Sequence, residues 1–440
     1  MFTDKIRKNV FWILDSLKGN KIKKHYEEIA YLNGNKNITD IQERRSVIIS
    51  NLLGYATETT PFYKKFKGID ELEKFPILKK TIIQENFNAF KSESYLNKPY
   101  KIVSTSGSTG IPFILHQSSN KEIRNMVDVL FFCNKANFSL GERLYMLQVW
   151  GNNYQMDNKI KSWKQNSKQI NVSNFNDDEI KKFLKSLQKY PFSKNIISTV
   201  SALENICEYI ERMKLGPFTK LKINSIIAIS ESLSDYTKLS LKKHFNVDAV
   251  SRYSNEELGI IAQQYPGKEN SNFNINWASY HVEILKMDSD ESAEPGELGR
   301  IIVTDLFNYC MPIIRYDTGD ISCFESSEKD AFPTLKKIEG RKMDLIYNTK
   351  GGIFSSFLVD YVFFDYFSWI KQYQFIQVNE SEYHIKLNTH SGYFNYEKDL
   401  IDTFKKNLGD DATVKIFYVN EIPLLSSRKR KKIMNLYHNN

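Results

Sequence analysis

Cysteine is scarce. The four present, Cys133, Cys207, Cys310 and Cys323, lie far apart in 440 residues, and no two form a C-x-x-C pair. This spacing argues against a structural zinc site and more strongly against a disulfide framework. Long apolar runs are also missing. The opening stretch, MFTDKIRKNVFWILDSLKGNKIKKHYEE, is amphipathic, but charges interrupt it every few residues. It is neither a signal peptide nor a membrane span, and a soluble, cytoplasmic chain is expected. No internal repeat, low-complexity tract, helix-turn-helix or zinc-finger pattern is found, so no nucleic-acid partner is expected. The net charge is +9, but the cations are dispersed along the chain. We read this mainly as composition bias, which also favours attraction of an anionic substrate.

What the chain does have is apolar and aromatic bulk. Hydrophobic residues make up 41% and aromatics 13%, enough for a sizeable core and two or three domains. Residues 1 to about 95 place Leu, Ile, Phe and Tyr at helical spacing. From 100 to 345, apolar runs such as RLYMLQVW, NIISTV, INSIIAIS and HVEILKM alternate with helical patterns such as DDEIKKFLKSLQKY and SALENICEYIERMKL. Strands alternating with helices predict an α/β fold. Near Met343 to Gly352 the pattern changes. A helix-like FLVDYVFFDYFSWI, the strands QYQFIQV and EYHIKLN, the helix NYEKDLIDTFKKNL and the strand VKIFYV follow. The expectation is a large multilayer α/β N-terminal domain over 1–345, with a mostly helical lead-in, and a small α+β C-terminal domain over 346–440.

Between these patterns stands STSGSTGIPF, Ser104 to Phe113, dense in hydroxyls and glycine. Gly107 and Gly110 open backbone angles closed to other residues, and the N–H groups of such a loop can wrap a phosphate. A surface turn is the equally weighted alternative. No Lys follows Gly110, which disfavours a kinase-type P-loop. Downstream come RYSNEELGIIA (Arg252 to Ala262), MPIIRYDTGD (Met311 to Asp320), EGRKMDLI (Glu339 to Ile346) and SSRKRKKI (Ser426 to Ile433). Together they offer phosphate donors, a carboxylate for a hard cation, acceptors for ribose hydroxyls and a late positive charge, which are the parts ATP requires.

In this order the motifs resemble the adenylate-forming superfamily, nearest to the phenylacetate–coenzyme A ligase-like branch that includes the group found with capsular-polysaccharide genes. PIIRYDTGD is the most specific match, and TTPFYKKF and FPILKKTIIQENF also look like the branch's N-terminal region. The resemblance implies that Ser106, Gly107, Ser108, Thr109 and Gly110 hold the β- and γ-phosphates. It implies that Tyr253 stacks on adenine beside Ser254, that Glu257 binds Mg²⁺, and that Asp320 accepts from both ribose hydroxyls. Arg341 would contact ribose or phosphate, and Glu231, in SES, would line the adenine and acyl sites. Lys429 falls at the catalytic lysine, carried by a mobile C-terminal domain. Tyr145, Trp150 and Ile229 come from segments that line the acid pocket. The chain departs from the family at Glu256 (usually Ser or Thr), at Met343 (the hinge, usually Asp or Lys) and at Arg428 (usually Gly). The run of five consecutive basic residues leaves the lysine's register open by one or two, and a solvated basic tail is the plainer alternative. For the NEE acids, that alternative is a solvated helix start.

The resemblance implies attack of a carboxylate on the α-phosphate of ATP. This releases pyrophosphate and gives an acyl-adenylate, whose acyl group then passes to coenzyme A. Transfer to a carrier protein, amine or hydroxyl is the alternative, and a homologue without turnover is another. The acid and the oligomeric state are not legible in the sequence.

Overall fold

The computed structural model describes residues 2–34, 37–105, 113–149, 166–267, 272–325, 332–339, 345–354, 358–359, 362–363, 366, 369–423 and 431–437. By compactness the chain divides into two units. The first comprises Met1–Glu231, Leu241–Thr318 and Ser322–Lys337; the second comprises Ser232–Ser240, Gly319–Ile321 and Ile338–Asn440.

The first unit opens with helices Phe2–Leu17, Lys21–Leu32 and Ile38–Thr59. Its centre is a seven-stranded sheet in the spatial order Ser167–Asn171, Arg143–Gln148, Lys194–Thr199, Ile223–Ile229, Val250–Asn255, Gly259–Gln263, Asn274–Ile275. The first five strands pair in parallel and the last two join antiparallel. Parallel strands need crossover helices, which cover both faces, so their sequences read as continuous apolar runs. Ile196, Ile197, Ile226, Ile227 and Ala228 are accordingly buried. The crossover helix Asp177–Lys189 buries Ile180, Phe183, Leu184 and Leu187, one helical stripe, and Asn176 caps it by accepting the Glu179 N–H at 3.1 Å. Two further antiparallel pairs matter for the site. Tyr100–Thr105 pairs with Phe113–Ser118, and Tyr280–Leu285 pairs with Gly299–Asp305.

The second unit contains a four-stranded sheet in the order Thr413–Tyr418, Glu382–Thr389, Ile370–Gln377, Ile433–Asn435. Its central pair is antiparallel and its outer strands are parallel to their neighbours. Helix Glu397–Leu408 buries Leu400, Phe404 and Leu408 in a core with Phe354, Phe375 and Tyr383. The mixed α/β architecture, with a large N-terminal part and a smaller β-rich C-terminal part, agrees with the fold class expected from the alternation of patterns.

Candidate functional site

The segment Met311–Thr318 is fixed in place from its interior side. Arg315 has a left-handed backbone, φ 54°. Its guanidinium donates to both oxygens of Glu283, at 2.8 and 3.1 Å, and to the carbonyls of Glu73 (2.7 Å) and Phe75 (3.0 Å). Both charged side chains are largely buried. Burial pushes the Glu283 carboxyl upward, and the Arg315 charge opposes that shift. Tyr63, from TTPFYKKF, donates its hydroxyl to the Pro312 carbonyl (3.2 Å) and accepts the Ile314 N–H (3.3 Å). Burial pushes the Tyr63 phenol far above its ordinary range, so it keeps its proton as a donor. Leu78, from FPILKK, exchanges backbone bonds with Arg315 and Asp317, each at 2.9 Å. The early segments therefore act as a brace for the later motif.

This brace aims the next residues. In the extended strand Tyr316–Ser322, residues 316 and 318 share a face, whereas Asp317 turns to Arg300 at 2.9 Å. Tyr316 reaches the Glu257 carboxylate (hydroxyl to Oε1, 3.5 Å), and Thr318 accepts from the Tyr253 hydroxyl at 3.3 Å. Glu257 also faces Lys80, whose Nζ is 3.8 Å from Oε1 and 4.8 Å from the centre of the Phe113 ring. Phe113 stacks over Tyr316 at 6.1 Å and immediately follows the hairpin's connecting segment. Glu257, Lys80, Tyr316 and Phe113 thus form one group, with the Tyr253–Thr318 pair alongside on the same strand face. Lys80, the last residue of FPILKK, carries no signal of its own in a lysine-rich sequence and is found only by this approach.

The NEE acids occupy a turn between two antiparallel strands, Val250–Asn255 and Gly259–Gln263, not a helix start. Glu256 is exposed; Glu257 is half-buried. Three contacts hold the turn. Asn255 accepts the Leu258 N–H at 2.8 Å, Gln117 donates to the Glu257 carbonyl at 3.0 Å, and the Tyr280 hydroxyl donates to the Leu258 carbonyl. Tyr280 in turn accepts from Lys121 (3.0 Å), which pairs with Asp305 at 2.7 Å in the interior. Gly259 is required here: its φ is +113°, and a Cβ would lie 2.8 Å from Asn125 Oδ1 and 3.0 Å from the Tyr280 hydroxyl.

Other expected site residues fall elsewhere. Ser106, Gly107, Ser108, Thr109, Gly110, Trp150, Arg341, Met343, Arg428 and Lys429 lie outside the described residues. Asp320 is half-buried, next to Gly319 at φ +78°, in the strand that carries Tyr316 and Thr318. Ser254 is exposed. The Glu231 carboxylate accepts the Ser201 N–H at 2.9 Å, in the first turn of helix Val200–Arg212, where a negative charge is favoured. Tyr145 is a core residue instead of a pocket wall. It is 2% exposed, its ring meets Phe183 edge-on, and its hydroxyl donates to the Ser186 carbonyl. Ile229 is half-buried at the end of its strand. Among the described residues no group of three or more His, Cys, Asp or Glu side chains could cage a metal. A single carboxylate such as Glu257 fits Mg²⁺ only in its usual manner, with substrate phosphates and water completing the shell.

The fold has close counterparts among solved structures. A 2-hydroxyisobutyryl-CoA ligase in its postadenylation state superposes with a TM-score of 0.71 over 92% of this chain and 91% of that one, at 14% identity. ATP-bound MatB from Rhodopseudomonas palustris gives 0.55 over 77% and 66%, at 13% identity. The chain has the fold of the adenylate-forming ligases. By sequence, Protein CapK of Staphylococcus aureus is 21% identical over 95% of this chain and 94% of its own length. A phenylacetate–coenzyme A ligase of Aromatoleum evansii is 22% identical over 66% of this chain and 68% of its own. Residues 346–436 match the CapK C-terminal domain. The chain is a homologue of CapK and of the phenylacetate–coenzyme A ligases.

Proposed function

We propose that this protein activates a carboxylic acid with ATP and Mg²⁺, releasing pyrophosphate to form an acyl-adenylate, and passes the acyl group to coenzyme A. The observation that carries this reading is the braced PIIRYDTGD segment, whose Tyr316 and Thr318 meet Glu257 and Tyr253. A carboxylate is a poor electrophile, and adenylation turns it into a mixed anhydride. Bringing two anions together is costly, and cations offset that repulsion as charge builds on the phosphate oxygens. Glu257 is assigned to Mg²⁺, Tyr253 and Ser254 to adenine, Asp320 to the ribose hydroxyls, the 106–110 segment to the phosphates, Arg341 to ribose or phosphate, and Lys429 to the transferring phosphoryl group. The small domain of residues 346–440 is assigned the delivery of that lysine. Acid-dependent pyrophosphate release tests the first half-reaction, and thioester formed on adding coenzyme A tests the second. A second reading, in which the acceptor is a carrier protein, an amine or a hydroxyl, follows if the acyl-adenylate forms but no thioester appears with coenzyme A.

Two outcomes follow for the nucleotide. Asp320→Ala leaves two ribose hydroxyls without their acceptor and weakens ATP binding by about 1–3 kcal/mol, measured by calorimetry. Unchanged affinity removes Asp320 from the site. Glu257→Gln raises the Mg²⁺ concentration needed for half-maximal turnover, because a neutral amide is a weaker ligand for a hard cation. Glu256→Gln has the smaller effect, since that side chain stands in solvent at the turn. A reversed order of the two effects assigns the metal to Glu256.

A further inference from the structure

We propose that the outward face of the first helix docks this protein on an anionic phospholipid bilayer, independently of the reaction it performs. Helix Phe2–Leu17 turns the wrong face to water for an ordinary surface helix. Ile6, Val10, Ile13, Leu14 and Leu17 lie on one stripe and are 44–79% exposed. Its only acids, Asp4 and Asp15, are buried instead, at 8% and 4% exposure.

The helix is locked in this rotation by contacts on its inner face. The Asp15 carboxylate accepts the N–H groups of Ile22 and Lys23, both at 2.9 Å, and so caps the next helix. Trp12 meets Tyr26 edge-on at 5.9 Å. Gly141 comes so close that a Cβ there would lie 2.3 Å from the Asp4 carbonyl oxygen. The apolar stripe therefore faces outward by construction.

The border of the stripe selects its occupant. Lys5 and Lys18 are exposed toward its two edges, whereas Lys8, two residues from Val10, stands on the opposite side of the helix. Lys21 and Lys24 are exposed in the following helix, where the exposed Glu27 is paired with Lys23 at 3.8 Å. With no exposed carboxylate on the helix, a second copy laid along it in either direction would set lysine against lysine. An anionic bilayer satisfies both features at once: its acyl boundary takes the apolar stripe, and its headgroups take the lysines. At 16 residues the helix is about 24 Å long and broken by charges. Among the described residues no helix is long and apolar enough to cross a membrane. The first helix therefore lies in the plane of the interface.

The test is co-sedimentation of the full chain with vesicles of phosphatidylcholine alone and of phosphatidylcholine with phosphatidylglycerol. The chain pellets with the anionic vesicles, and less so as salt is raised. The double variant I13D/L17D loses at least about tenfold in partitioning. Its far-UV circular dichroism and thermal midpoint are unchanged, because both side chains already stand in water. The variant K5Q/K18Q binds more weakly and with a flatter salt dependence. Full-length protein that stays in the supernatant with anionic vesicles overturns the proposal. So does a dimer in analytical ultracentrifugation that I13D/L17D converts to monomer, since a second copy would then own the face.

Discussion

Lys429→Ala is expected to abolish acyl-adenylate formation from acid and ATP while leaving a supplied acyl-adenylate convertible to product. The expected loss in the first step is on the order of 10²–10³, the effect of removing one preorganised group that stabilises developing charge. The motive is position. A basic run at 428–432 follows the strand Thr413–Tyr418 near the chain end, where the resembling family carries its catalytic lysine. The second step needs no such charge, because the anhydride is already formed and the leaving group is AMP. Quenched-flow detection of adenylate, beside a product assay started from synthetic adenylate, separates the two steps. Loss of both points to misfolding or a different role. Loss of neither transfers the assignment to Lys431 or Lys432.

Arg315→Met is expected to produce the largest loss of stability among substitutions at the braced motif, about 3–5 kcal/mol. It strands a buried Glu283 carboxylate and frees the Glu73 and Phe75 carbonyls, which together hold the guanidinium. The left-handed backbone at 315 is common to both side chains, so the change is confined to the side chain's charge and hydrogen bonds. Adding Glu283→Met should recover part of the loss, because the uncompensated charge is then gone and two apolar side chains fill the space. Urea unfolding of the two variants and the parent measures this. A single variant as stable as the parent would show that the brace contributes nothing.

The same residue marks the limit of what was legible. PIIRYDTGD could be recognised as a string, but nothing in it says that Arg315 points inward to Glu283, thirty-two positions earlier, while Tyr316 points to Glu257. That depends on a left-handed backbone angle and on tertiary pairing, neither of which is local. The parallel strands were legible because burial on both faces writes itself as continuous apolar sequence. The NEE acids were harder: a hairpin turn and a helix start both favour acids and Asn, and only the antiparallel partner Gly259–Gln263 decides between them. Tyr145 was placed with the acid pocket on family position alone. Its contact with Phe183, across the sheet-to-helix interface, required the register of helix Asp177–Lys189. Lys80 lacked any chemical signature in a lysine-rich chain and is picked out only by its approach to Glu257.

Adenylation is tested by pyrophosphate release from the full chain with ATP, Mg²⁺ and a pool of carboxylic acids, with the adenylate identified by mass. Release is expected to depend on the acid, with an acyl-adenylate whose mass names that acid. ATP binding without pyrophosphate release in the presence of any acid would contradict adenylation.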